Sequence, residues 1–228
     1  MARVAVVLSG CGVFDGSEIH EAVLTLLALD RAGARFECLA PNKNQAGVVN
    51  HLTKQPMAET RNVLVESARI ARGKVEDVAQ SRAEDYDAVI LPGGFGAAKN
   101  LCTFAEKGAQ CEVEPSVKKF LTAMKQAGKP IGAICISPVI LARLFGAGGS
   151  PKVTIGTEPE TANAIEAMGA EHMGCPVDDF VVDEQAKIVT TPAYMLAHNI
   201  RECADGIEKL VVEVLRLVKA KKPAMARA

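Results

Sequence analysis

Two rhythms of apolar and polar positions alternate along the chain. Short β-branched or apolar runs stand at residues 4–8, 36–40, 88–91 and 130–134, with weaker ones at 153–155 and 187–190. The first rhythm predicts strands buried on both faces. Between the runs, apolar residues recur every three to four positions, predicting helices over 19–32, 62–72, 114–127, 137–145, 159–168 and 197–219. Ser17 is placed to cap the first helix, with Glu18 and Glu21 in its opening turns, and Gly33 stands where a left-handed residue usually closes one. Near-continuous apolar strands alternating with helices imply a mainly parallel sheet covered on both sides, an α/β three-layer sandwich. Ligands of such sheets sit beyond the carboxyl ends of the strands. The chemistry is therefore expected at residues 9–12, 92–96, 135–138 and 191–194. Residues 41–61, which include Asn50 and His51, are long for a connection and read as a functional flap or a short excursion.

Composition narrows the picture. The 228 residues, 49% of them hydrophobic, suit a single domain over 1–220 followed by a frayed tail at 221–228. The 26 Lys and Arg against 27 Asp and Glu give a net charge of -1, which argues against a sequence-independent grip on nucleic acid. No apolar run approaches the ~20 residues of a membrane span. The opening Met1-Ala2-Arg3 and its five-residue apolar run do not form a secretory signal. Seven cysteines, an odd number without a Cys-x-x-Cys pair or a Cys-His cluster, predict free thiols, no metal centre and a cytoplasmic protein. Gly10-x-Gly12 hints at a dinucleotide turn, yet Asp15 stands where a third glycine is needed and residues 40–42 offer no acid to a ribose, so no cofactor is expected.

The most informative stretch is residues 129–145, where a strand stops at Cys135 and a helix begins within two residues. A side chain on so sharp a turn stands exposed above the sheet, as in a nucleophile elbow with Cys in place of Ser. The helix N-terminus behind it favours thiolate, so Cys135 is expected to be the most acidic and reactive thiol. Cys11, inside Gly-Cys-Gly after the first strand, is the second candidate. Leu91-Pro92-Gly93-Gly94-Phe95-Gly96 follows another strand and can present N–H groups of Gly94 or Phe95 to a developing oxyanion, beside the N–H of Ile136.

The elbow, the Leu-Pro-Gly-Gly turn and an acid on the first helix together resemble the ThiJ/PfpI superfamily, of class I glutamine amidotransferase-like fold. Residues 9–21, 92–101, 175–179 and 190–195 further resemble its enhancing-lycopene-biosynthesis group, the isoprenoid biosynthesis proteins with an amidotransferase-like domain, also called sigma cross-reacting proteins. This resemblance spans roughly residues 3–218. It implies a flavodoxin-like sandwich, a homodimer, Cys135 as nucleophile, and Gly93, Gly94 and Ile136 around the substrate oxygen. It also implies a thiol-bonding acid at Glu21, with Glu18 one turn earlier as runner-up. Many superfamily members carry a histidine after the strand that follows the nucleophile helix. Here Gly156-Thr157-Glu158 stand there, which weakens protease and amidotransferase readings and leaves Glu158 as a secondary candidate. His20, His51, His172 and His198 carry no local motif that marks a substitute. The activity implied by resemblance is a cofactor-free glyoxalase acting on a small aldehyde or dicarbonyl, taking glyoxal to glycolate. The alternatives are a deglycase of glycated thiols or amines and a non-catalytic, redox-responsive regulator linked to isoprenoid biosynthesis.

Overall fold

The computed structural model describes residues 1–220, so the expected tail at 221–228 lies outside the described residues. In chain order the elements are β1 (Arg3–Val7), α1 (Ile19–Arg31), β2 (Arg35–Ala40), β3 (Val48–Val49), β4 (Pro56–Met57), α2 (Val63–Ile70), β5 (Val75–Asp77) and β6 (Ala88–Leu91). There follow α3 (Phe95–Lys99), α4 (Phe104–Lys107), α5 (Pro115–Gln126), β7 (Ile131–Ile134), α6 (Pro138–Gly149) and β8 (Lys152–Val153). The chain continues through α7 (Pro159–Ala167), β9 (Glu171–His172), β10 (Val181–Asp183), β11 (Ile188–Thr191) and α8 (Ile200–Ala220).

Seven strands form one sheet in the order β10-β11-β7-β6-β1-β2-β5, parallel except where β10 folds back antiparallel on β11. Strand alternation assigns the two faces. Val4, Val6 and Leu8 point into a core with Leu210, Val211 and Val214 of α8, whereas Ala5 and Val7 point into the opposite core with Phe120, Leu121 and Met124 of α5. The sheet is thus buried on both sides, as expected of a mainly parallel sheet with helical crossovers. Gly132 of β7 is needed on the α8 side, where an added Cβ would sit 3.1 Å from Ile90 and 3.2 Å from Leu210.

Local corrections have physical causes. Glu18, not Ser17, caps α1, accepting from the Glu21 N–H at 2.7 Å, because the Ser17 hydroxyl is drawn inward to accept from the Ser9 N–H at 2.9 Å. The expected strand at 153–155 is only β8, paired with β9 in a separate two-stranded sheet rather than in the main one. Residues 41–61 are an excursion containing the β3–β4 hairpin, pinned where Val49 N–H donates to the buried Asp15 carboxylate at 2.8 Å. No helix among the described residues is long and apolar enough to cross a membrane.

Candidate active site

Parallel strand ends β6, β7 and β11 meet the first turn of α1 at one sulfur. β7 stops at Ile134, and Cys135 adopts φ +61°, a left-handed conformation that costs a non-glycine residue about 1–3 kcal/mol. The surroundings hold it there. Cys135 N–H donates to Thr191 O at 3.0 Å, Ser137 N–H to Ile134 O at 3.0 Å, and the buried Ser137 hydroxyl to Pro92 O at 2.7 Å. Pro138 then opens α6, where its missing N–H costs nothing. The N–H groups of Gly94 and Ile136 lie close enough to the Cys135 sulfur to favour its thiolate. These are the donors expected for an oxyanion, collected around the nucleophile itself.

Glu21, wholly buried on α1, brings its carboxyl within hydrogen-bonding reach of the same sulfur. Its two oxygens are oriented by backbone: Oε2 accepts from Gly93 N–H at 2.9 Å and Oε1 from Tyr194 N–H at 3.2 Å. Tyr194 is delivered by a second strained turn, with Ala193 at φ +46° just past β11. The close packing dictates glycine at 93, where a Cβ would lie 2.5 Å from the Cys135 Cβ and 2.6 Å from Glu21 Oε2. Gly94, at φ +92°, turns the chain so that its N–H faces the sulfur.

Electrostatics reverse one expectation. Burial pushes the Glu21 carboxyl up to about 8, helped by the neighbouring charge of Glu18 and opposed by its bonds from Cys135, Tyr194 and Gly93. Glu21 therefore holds its proton at neutral pH. Cys135 was expected to be acidic, but burial raises it well above the ordinary thiol range. A charged Glu21 adds to the rise, outweighing the Gly94 and Ile136 N–H groups. Desolvation at a site only 8% exposed beats the helix terminus. Of the seven free cysteines, the thiol that is lowered is Cys111, through a hydrogen bond with Cys102 and, secondarily, the nearby charge of Arg143.

Beside the sulfur opens a cavity of about 500 Å³, walled by Val13, Phe95, Phe104 and Met195, with Glu18, Glu160, Thr161 and Tyr194 at its polar positions. A larger groove of about 850 Å³ is lined by α5 and α6 residues such as Lys118 and Arg143 and has no cysteine in its lining. Of the sequence candidates, Cys135, Glu21, Gly94 and Ile136 come together as expected. Gly93 belongs to the site, but its N–H is committed to Glu21 rather than to a substrate oxygen. Glu18 lines the cavity while capping α1, and Glu21, not Glu18, reaches the thiol. Glu158 is corrected to a cap of α7, accepting from Glu160 and Thr161 N–H at 2.8 Å each. Cys11 is half-buried and feels Glu66 and Arg69 of α2, away from the Cys135 cavity.

Three of the four histidines have side-chain partners outside the Cys135–Glu21 contact. His51 accepts from Phe14 N–H at 3.3 Å within the hairpin excursion, His172 from Ile155 N–H at 3.4 Å, and His20 pairs with the Tyr194 hydroxyl at 2.8 Å. The Tyr194 N–H and the cavity wall went unassigned from sequence. The one signal was that residues 191–194 follow a strand end.

Residues 4–196 match the family model described as DJ-1/PfpI family. The chain belongs to the DJ-1/PfpI family. It is 49% identical over 226 residues to the human glutamine amidotransferase-like class 1 domain-containing protein 3, mitochondrial, covering 95% of this chain and 83% of that protein. The zebrafish (Danio rerio) ES1 protein, mitochondrial, is 36% identical over 234 residues, with 94% and 86% covered. Among solved structures, an isoprenoid biosynthesis protein with amidotransferase-like domain from Ehrlichia chaffeensis superposes with a TM-score of 0.88 at 42% identity, covering 94% of this chain and 99% of that one. The flavodoxin-like, amidotransferase-like fold expected from sequence is thereby established.

Proposed function

We propose that this member of the family is a cofactor-free glyoxalase-type lyase, with Cys135 as nucleophile and Glu21 as proton shuttle. The observation that carries the reading is the meeting, at one buried sulfur, of a protonated carboxyl and two backbone N–H donors. The Cys135 sulfur adds to one aldehyde carbon of glyoxal, and the thiol's own proton passes to the carbonyl oxygen to give a hemithioacetal. The Gly94 and Ile136 N–H groups support the oxygen charge as it develops. Glu21 gives its proton to the neighbouring carbonyl oxygen and takes the hydrogen from the thiol-bearing carbon, giving an enediol with Glu21 protonated again. Glu21 returns that proton to the second carbon and takes up the hydroxyl proton of the thiol-bearing carbon, which yields a glycolyl thioester. Water cleaves the thioester to glycolate and free thiol, so the sum is glyoxal plus water to glycolic acid.

The decisive assay follows glycolate formation from glyoxal without glutathione, metal or nucleotide. Cys135→Ala is expected to lower kcat/KM at least about 100-fold, the scale of a lost covalent nucleophile. Equal turnover by wild type and variant removes the reading. The same hemithioacetal step would serve a deglycase of glycated thiols or amines. A non-catalytic regulator is favoured by one observation, the upward shift that holds the Cys135 thiol protonated in the resting site, and the same shift argues against a redox-responsive thiol there. Seven unpaired thiols fit a reducing compartment, such as the cytoplasm expected from sequence.

A further inference from the structure

We propose that the Cys135 cavity selects neutral or positively charged carbonyl compounds and rejects anionic ones, with Glu160 as the residue that reads the charge. This deepens the reading above and rests on Cys135 being the group that meets the substrate.

The cavity, at about 500 Å³, is far larger than a small dialdehyde fills, so its walls are free to select a larger carbonyl compound. The charged side chains lining it are both carboxylates, Glu18 from the start of α1 and Glu160 from the first turn of α7, and no Lys, Arg or His lines it among the described residues. Glu160 is exposed and free to approach a ligand, whereas Glu18 is tied to the Glu21 N–H.

Anion sites in α/β folds usually draw on free N–H groups at helix N-termini. Here, apart from the Gly94 and Ile136 N–H groups that face the sulfur, these are occupied. The Glu158 carboxylate takes the N–H groups of Glu160 and Thr161 at the start of α7. At the start of α3, Phe95 N–H donates to Val13 O at 2.8 Å and Gly96 N–H to Gly16 O at 2.9 Å. Two basic groups stand behind the wall. The Lys99 ammonium lies 5.2 Å from the Phe95 ring centroid and donates to Phe14 O at 3.2 Å, and His20 is held by the Tyr194 hydroxyl. A carboxylate, phosphate or diphosphate entering this cavity would lose its water to face Glu18 and Glu160. A cation or a neutral apolar group would find Phe95, Phe104 and Met195 with a carboxylate at the rim.

The test reads charge at the sulfur itself, independent of turnover. A cationic and an anionic methanethiosulfonate of similar size are reacted with the intact protein, and modification of Cys135 is followed by peptide mapping. Thiolate attack on the reagent sulfur forms a mixed disulfide and expels a sulfinate. The cationic-to-anionic rate ratio is divided by that of the same cysteine in the denatured chain. At low salt this ratio is expected to be at least about fivefold, from one or two carboxylates near the reaction path, and to shrink as salt is added. Glu160→Gln should bring it towards one and Glu160→Lys should invert it. A normalised ratio at or below one, the same ratio in all three proteins, or a Cys135 that neither reagent reaches overturns the proposal. Glyoxal turnover measured on the same samples separates the two readings. Charge selection without turnover removes the glyoxalase step alone, and turnover with a flat ratio removes the charge selection alone.

Discussion

Glu21 and Cys135 share a space too small and too dry for two charges, so their titrations belong to the pair. With the carboxyl pushed up to about 8, the resting pair is uncharged at neutral pH, and its first proton leaves as pH rises through that value. Alkylation of Cys135 by iodoacetamide should therefore climb through about pH 8. Glu21→Gln keeps that position uncharged at every pH, so alkylation should match wild type at pH 7 and outpace it above about pH 8, while glyoxal turnover collapses. A slower alkylation in that variant contradicts this account of the pair. At Gly93 the argument is steric. An added methyl would overlap the Cys135 Cβ and Glu21 Oε2 at 2.5 and 2.6 Å, so Gly93→Ala should lower stability by about 1–3 kcal/mol in urea titration and abolish turnover. The importance of Cys135 was legible in the sequence because a strand ran into a helix without a loop. Its acidity was misread, since the opposing burial depends on α1, β6 and β11 closing over it.

At the scale of elements, α7 separates two roles for an acid that occupies the place of a catalytic histidine elsewhere in the superfamily. Glu158 caps the helix through Glu160 and Thr161 N–H. Glu158→Ala should cost about 1 kcal/mol of stability through the lost cap, with Cys135 alkylation unchanged. A loss of Cys135 alkylation without loss of stability would return Glu158 to the chemistry. The helices α1, α2, α5 and α6 were readable from their apolar spacing, because each rests one face on the sheet. The short β5 and β10 were not, since three residues carry no rhythm and exist only by pairing with β2 and β11. The run at 153–155 misled for the complementary reason. It is as apolar as a sheet strand, but its partner is β9.

For the whole molecule, a buried carboxyl that titrates near 8 makes stability depend on pH. Glu21 binds its proton more tightly folded than unfolded, so its contribution is full below the ordinary carboxylate range and is lost as pH rises towards about 8. Wild type should lose stability by a few kcal/mol between about pH 4.5 and pH 8 relative to Glu21→Gln, as measured by urea unfolding at each pH. Parallel pH profiles for the two proteins would show that Glu21 ionises freely. The sequence by itself determined the layered α/β architecture, the strand ends at which a site could lie, and Cys135 on its elbow. Those features depend on local periodicity and on turns a few residues long. Only the tertiary structure decided that Glu21 rather than Glu18 meets the sulfur, that Tyr194 and Gly93 orient it, and that carboxylates rim the cavity. Those contacts join residues as much as 173 positions apart, and burial sets their charges.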